Sequence, residues 1–111
     1  MNSIGDNGAV ALSEALKTNL TLTSLELRNN KIGDNGAVAL SEALKINPTL
    51  TTLDLHSNSI GPNGVQALSE PRNTNTTVTL PPWSERLATT TILHFVLALN
   101  LLTLIYILLR Y

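Results

Sequence analysis

The strongest constraint on this chain is an internal repeat. The 14 residues 4–17 recur letter for letter as residues 32–45, which lie 28 positions later. A partial third copy begins at Ile60 with the sequence IGPNGVQALSE. A fixed period of this length is typical of a solenoid, in which each unit packs against its neighbours because it cannot bury its own apolar side chains alone.

Each unit contains a short stretch with strand-like spacing. Leu22, Leu25 and Leu27 are separated by Thr, Ser and Glu, and the same leucine spacing returns 28 positions later. Near-alternation of apolar and polar residues indicates a strand with one buried face. We therefore expect residues 21–27 and 49–55 to form neighbouring parallel strands, joined by a right-handed crossover.

The remainder of each unit has helical spacing. Leu40 and Leu44 are four residues apart, so they share one face of a helix. Asp6 and Asp34 precede such stretches, where the dipole of a helix favours a negative charge in its first turn. Pro62 occupies the same place in the third copy, and proline is preferred at the first helical residue. These residues predict a helix start in each unit.

The turns between strand and helix also repeat. An asparagine follows each strand by three residues, and its amide can satisfy backbone groups of the turn. Glycine pairs precede the helices, and we expect them to permit a tight turn there. The residues in question are Asn30, Asn58, Gly33, Gly36, Gly61 and Gly64.

These positions together resemble the leucine-rich repeat of the ribonuclease-inhibitor-like subfamily, a motif also found in intracellular innate-immune receptors. The resemblance covers residues 2–79. It implies an α/β fold: a short right-handed solenoid with parallel strands on its concave face and helices outside. Such repeats bind very different proteins, so the resemblance implies protein interaction without indicating the partner. It is carried by Leu22, Leu25, Leu27, Asn30, Ile32, Gly33, Gly36, Leu40 and Leu44.

The third unit departs from the pattern. Pro71 stands in the last turn of its predicted helix, which should therefore end early. Thr77 and Val78 align with Thr49 and Leu50 at the 28-residue offset, and the match stops after Thr79. Two interpretations remain open: a degenerate terminal repeat, or a fragment of a larger repeat protein joined to an artefactual tail.

Beyond the repeats the composition becomes apolar. No charged residue occurs between Arg86 and Arg110. A helix over residues 87–109 would be about 35 Å long, enough for the roughly 30 Å core of a bilayer. Trp83 and Tyr111 flank it as interfacial aromatic residues do. We predict a transmembrane helix here, the alternative being a buried or artefactual tail.

The predicted domains are leucine-rich repeats over residues 1–79, with two strand-bearing units and a partial third, a linker over 80–86, and the apolar C-terminal helix over 87–109. The first residues lack the basic and apolar segments of a signal peptide. We therefore expect a C-terminal membrane anchor with the repeats in the cytosol, or a cytoplasmic protein as the alternative. Asn100, in the middle of the span, predicts a weak homodimer.

Little in the sequence indicates catalysis. The net charge of −1 gives no electrostatic footprint for nucleic acid, and the absence of cysteine excludes thiolate metal sites. His56 and His94 are far apart, and the glycine spacing does not fit a phosphate loop. We expect no enzyme activity, cofactor or metal. A GTPase-regulating repeat protein is an alternative function, but no residue pattern supports it.

The candidate binding surface is the outward face of the strands. Adjacent strands lie about 4.8 Å apart, so Glu26 should face Asp54, and Arg28 should face His56. The helices are identical whereas these strand positions vary, as a binding face permits, although a solvated face would look the same. We predict an interaction scaffold that binds an unknown protein partner through Ser24, Glu26, Arg28, Thr52, Asp54 and His56.

Overall fold

The structure is a computed structural model that describes residues 2–70 and 76–110, with the backbone alone for residues 85–95. The chain divides into two compact units, Met1–Pro81 and Pro82–Tyr111. The first unit alternates helices and strands, and the second holds one long helix. The elements in chain order are α1 (Gly5–Thr18), β1 (Ser24–Glu26), α2 (Asp34–Ile46), β2 (Thr52–Asp54), α3 (Pro62–Ser69), β3 (Thr77–Thr79) and α4 (Trp83–Arg110).

The three strands form one parallel sheet in the order β1-β2-β3. Leu25 pairs with Leu53 across the first two strands, at the 28-residue offset of the repeat. Backbone bonds extend the ladder beyond the strand ends, for example from Leu27 N to Asp54 O at 2.8 Å. The parallel pairing predicted from the repeat is therefore confirmed, although each strand has only three residues.

The third strand enters the sheet in a register that the sequence repeat does not predict. Val78 pairs with Leu53, which is an offset of 25 residues rather than 28. The predicted alignment of Val78 with Leu50 is therefore wrong. The reason lies in α3, which has 8 residues where α2 has 13, so the chain returns to the sheet earlier. The early end of this helix is as expected; Pro71 itself lies outside the described residues.

The core of the first unit lies between the sheet and the helices. Leu53, Leu40 and Leu44 have no more than 1% of their surface exposed. The same positions one repeat earlier are less covered: Leu12 and Leu25 are only partly buried. The repeat that contains β2 has neighbouring repeats on both sides, whereas the repeat that contains β1 has a described neighbour on one side only. Burial therefore follows the position of a repeat in the stack.

The helix-start aspartates bond to the next repeat rather than to their own helix. Oδ1 of Asp6 accepts hydrogen bonds from the backbone N–H of Gly33 at 2.7 Å and of Gly36 at 3.0 Å. Asp34 repeats this one unit later, with bonds of 2.6 and 3.0 Å to the next glycine pair. The carboxylate of one helix thus binds the N-terminal N–H groups of the following helix, where the dipole favours it.

These bonds also explain the second glycine of each pair. A Cβ atom at Gly36 would lie 2.7 Å from Asp6 Oδ1 and 2.9 Å from the Ala9 Cβ. A side chain at Gly64 would meet Asp34 Oδ1 at 2.6 Å. Neither glycine has a positive φ. The absence of a side chain, rather than the conformational freedom expected from the sequence, is what these positions require.

Two asparagines join neighbouring repeats at the other turns. Asn47, fully buried, donates from Nδ2 to the carbonyls of Leu16 and Asn19 in the preceding repeat, at 2.7 and 2.9 Å. Its Oδ1 accepts from the backbone of its own turn. Asn58 donates to Leu27 O at 2.8 Å and accepts two N–H groups of the preceding turn. Both asparagines therefore link repeats as well as close turns.

The C-terminal unit is the helix α4, which begins at Trp83, inside the predicted linker. No helix in the described part of the chain is long and apolar enough to cross a membrane. The prediction of a transmembrane helix over 87–109 is therefore not supported, nor is bilayer insertion or a homodimer through Asn100.

Candidate binding face

The outward side chains of the three strands form two rows across the sheet. One row pairs Ser24 with Thr52 and Thr52 with Thr77, so three hydroxyl groups lie side by side. The other row carries Glu26, Asp54 and Thr79 in the same register. All six side chains are exposed except Asp54, which is partly buried. We call these six residues the strand face; it presents hydroxyl and carboxylate groups and no apolar side chain.

An ion pair ties the first two repeats together at the end of the strand face. Arg28 Nε lies 2.7 Å from Asp54 Oδ2. The other carboxylate oxygen of Asp54 accepts the backbone N–H of His56 at 2.9 Å. Asp54 therefore binds both the guanidinium group of Arg28 and the start of the turn after β2. The expected facing of Arg28 and His56 stays a prediction.

Glu26 has no ion-pair partner among the residues that the structure describes. It lies directly beside Asp54 in the sheet, and the charge of Asp54 is compensated by Arg28. The strand face thus offers one uncompensated carboxylate, next to hydroxyl groups that can both donate and accept hydrogen bonds.

The structure places the six predicted binding residues at the outward side of the strands and just beyond their ends. Ser24, Glu26, Thr52 and Asp54 lie on one face as expected, with Arg28 and His56 just beyond the strand ends. The expected facing of Glu26 and Asp54 is confirmed. Whether any of the six residues predicted from the sequence binds a partner stays a prediction.

Sequence reasoning missed the two threonines that β3 adds to the strand face, Thr77 and Thr79. It missed them because the 28-residue offset was carried into a unit whose helix is shorter. A signal was present: Val78 and Leu80 alternate as Leu53 and Leu55 do. Matching the strand spacing instead of the repeat length gives the register that the structure has.

The described residues contain no group of three or more His, Cys, Asp or Glu side chains placed to hold a metal ion. Among the described residues, a raised pKa is seen at Lys45, away from the strand face. Hydrogen bonds to Glu42 and then to Glu70 raise the pKa of Lys45 above its ordinary value. These contacts, at 3.1 and 3.2 Å, connect α2 to the end of α3 on the exposed helix side.

Comparison with known proteins agrees with this architecture. A family model described as "Leucine Rich repeat" matches residues 18–41 and 47–69. Each match runs from the end of one helix through a strand into the next helix. The parallel strands with helical crossovers agree with these two matches and support leucine-rich repeats over residues 18–69. The ribonuclease-inhibitor-like subfamily is not confirmed by them.

Among solved structures, the chain is similar to one described as "Leiomodin-1 Actin-Binding Site 2 (ABS2)". The TM-score is 0.63 and the sequence identity 27%, over 71% of this chain. The match covers 50% of that structure, so this chain spans about half its length. No curated protein gives a significant match.

Proposed function

We propose that the repeats form a protein-binding module that uses the strand face, and that actin is its partner. The observation that carries the proposal is the strand face itself: six outward side chains in two rows on a rigid sheet. The likeness to a solved structure described as an actin-binding site supports actin as the partner. Binding surfaces are commonly built in this way, with variable polar side chains on a fixed scaffold.

The chemistry of the strand face fits a polar contact. Four hydroxyl groups and one uncompensated carboxylate can form hydrogen bonds with a basic or mixed surface, while the sheet holds them in place. An interface of this kind gains specificity from register, because each strand position has a fixed neighbour about 4.8 Å away. A protein partner is therefore favoured over a small ligand.

Binding can be tested with purified actin and the full chain, by anisotropy with labelled actin both as monomers and as filaments. The test variant is Thr52→Arg, at the centre of the hydroxyl row. The matched control is Thr18→Arg, an exposed threonine that ends α1 and is not part of the sheet. We expect binding to be lost in the first variant and kept in the second.

Two outcomes would contradict the proposal. No binding of the unaltered chain to either form of actin would exclude actin as the partner. Equal binding by both variants would place the contact outside the strand face.

A further inference from the structure

The first turns of α2 and α3 each contain an Asn-Gly dipeptide, Asn35-Gly36 and Asn63-Gly64. An asparagine followed by glycine is chemically labile, because glycine has no Cβ atom to shield its backbone nitrogen from the neighbouring side-chain amide. Asn35 and Asn63 are both exposed, so water reaches their amide groups. Each dipeptide is thus a candidate site of spontaneous deamidation.

Deamidation of Asn35 begins when the backbone nitrogen of Gly36 loses its proton and attacks the side-chain Cγ of Asn35. A C–N bond forms, and the side-chain nitrogen takes up a proton and leaves as ammonia, which gives a cyclic imide. Water then opens the ring at one of its two carbonyl carbons. The product is aspartate, or isoaspartate if the bond to the main-chain carbonyl carbon is the one that breaks. Water is the only co-reactant.

In both dipeptides a carboxylate of the preceding helix binds the proton that must leave. Gly36 N donates to Asp6 Oδ1 at 3.0 Å, and Gly64 N donates to Asp34 Oδ1 at 3.0 Å. These N–H groups lie in the first turn, where their own helix provides no carbonyl acceptor. Loss of the proton would place a negative charge directly beside a carboxylate, and like charges at this distance repel.

The same carboxylates require the glycine that makes each dipeptide labile. A Cβ atom at Gly36 would lie 2.7 Å from Asp6 Oδ1, and one at Gly64 would lie 2.6 Å from Asp34 Oδ1. A bulkier residue, which would slow the attack on the asparagine, therefore does not fit. The contact that imposes glycine at these positions also binds the N–H group through which glycine would react.

We propose that Asn35 and Asn63 are deamidation sites, and that the aspartate of the preceding helix keeps each of them in the amide form. Asp6 protects Asn35, and Asp34 protects Asn63. Isoaspartate would add a carbon to the main chain in the first turn and move the glycine N–H away from its carboxylate. The two aspartates thus protect the contact between repeats from an irreversible change, whatever the strand face binds.

The test compares the two sites within one molecule. The full chain and its Asp6→Ala and Asp34→Ala variants are incubated in warm, mildly alkaline buffer, and the aspartate and isoaspartate formed at each site are quantified by peptide mapping with mass spectrometry. We expect Asp6→Ala to raise the ratio of the Asn35 rate to the Asn63 rate roughly tenfold, because a hydrogen bond to a charged group is lost at one site only. Asp34→Ala should change the ratio by a similar factor in the opposite direction.

The ratio separates local protection from a general loss of stability, which would speed both reactions together. Glu14→Ala is the matched control, because it removes a carboxylate of α1 that pairs with Lys17, and it should leave both rates unchanged. Asp34→Asn keeps an acceptor oxygen but removes the repelling charge. It should shift the ratio in the same direction as Asp34→Ala, by a smaller factor, even if the alanine variant fails to fold.

The chain unfolded in guanidinium chloride gives the rates without protection, and these should exceed the native rates at both sites. An unchanged ratio in the aspartate variants would overturn the inference. So would native rates equal to those of the unfolded chain, because the carboxylates would then protect neither asparagine.

Discussion

Asp34 shows how a single side chain connects two repeats. Its Oδ1 accepts the N–H groups of Gly61 and Gly64 at 2.6 and 3.0 Å. Asp34→Ala leaves both N–H groups without this acceptor, so we expect a loss of about 1.5–3 kcal/mol in the free energy of unfolding. Urea denaturation followed by circular dichroism measures it.

Asn35→Ala is the matched control for this substitution. Asn35 is exposed in the same helical turn, and a surface change there should cost less than about 0.5 kcal/mol. Asp34→Asn keeps an acceptor oxygen and should fall between the two. If Asp34→Ala proves as mild as Asn35→Ala, the bonds to α3 do not stabilise the stack.

A second residue-scale prediction concerns Leu53, which is 1% exposed at the centre of the sheet. Leu53→Ala removes a fully buried side chain and should cost about 2–5 kcal/mol. Leu25→Ala changes the equivalent residue of β1, which is only partly buried, and should cost clearly less. Equal losses in urea melts would mean that the β1 edge is covered in solution.

Asp54→Ala, in contrast, is no neutral control for Leu53→Ala. An outward strand carboxylate is expected from the sequence to cost less than about 0.5 kcal/mol on removal. The structure places Arg28 on one of its oxygens and the N–H of His56 on the other. A loss nearer 1 kcal/mol is therefore expected, since the exposed pair contributes little and the turn bond adds to it.

At the scale of the element, an asparagine closes the turn after α1 and the turn after α2. The number of hydrogen bonds that it forms depends on the position of its repeat in the stack. Asn47 and Asn19 both accept two N–H groups of their own turn. Only Asn47 is seen to donate to two carbonyls of a preceding repeat as well. Asn47→Ala should therefore cost about 1–3 kcal/mol more than Asn19→Ala. Similar midpoints in urea would show that the bonds between repeats contribute nothing measurable.

The elements were predictable from the sequence where the pattern is periodic. The parallel strands and the helices follow from the leucine spacing, because that spacing fixes which side chains face the core. The register of β3 was not predictable from the sequence, since it depends on where α3 ends. The contact of Asp34 with the next repeat was also not predictable. From the sequence, an acidic residue in the first turn is expected to interact with the dipole of its own helix. Only the packing of the helices shows which N–H groups the carboxylate binds.

The composition of the strand face was predictable from the sequence for β1 and β2 but not for β3. Ser24, Glu26, Thr52 and Asp54 follow from alternation and a common offset. Thr77 and Thr79 do not, because the offset changes. The Arg28 contact with Asp54 was likewise unpredicted, because a long side chain reaches diagonally across strands to a residue that is not its direct neighbour.

At the scale of the whole molecule, the two compact units differ in how much of their apolar side-chain surface is exposed. The repeats bury their leucines, whereas α4 exposes large apolar side chains along its described length; Leu102 and Leu108 are 63% and 68% exposed. A contiguous apolar surface of this kind is rare on monomeric soluble proteins and marks contact with other apolar matter. We therefore expect the full chain to sediment in detergent-free buffer as particles larger than a monomer.

A version that ends at Pro82 keeps the whole repeat unit, Met1–Pro81, and should sediment as a folded monomer with an unchanged strand face. Leu102→Arg together with Leu108→Arg in the full chain places two charges on the apolar surface and should shift sedimentation toward the monomer. The matched control is Leu20→Arg, an exposed leucine of the repeats that is 63% exposed, which should leave the large particles in place. A monomeric full chain in the same buffer would show that the apolar side chains of α4 are covered within one molecule.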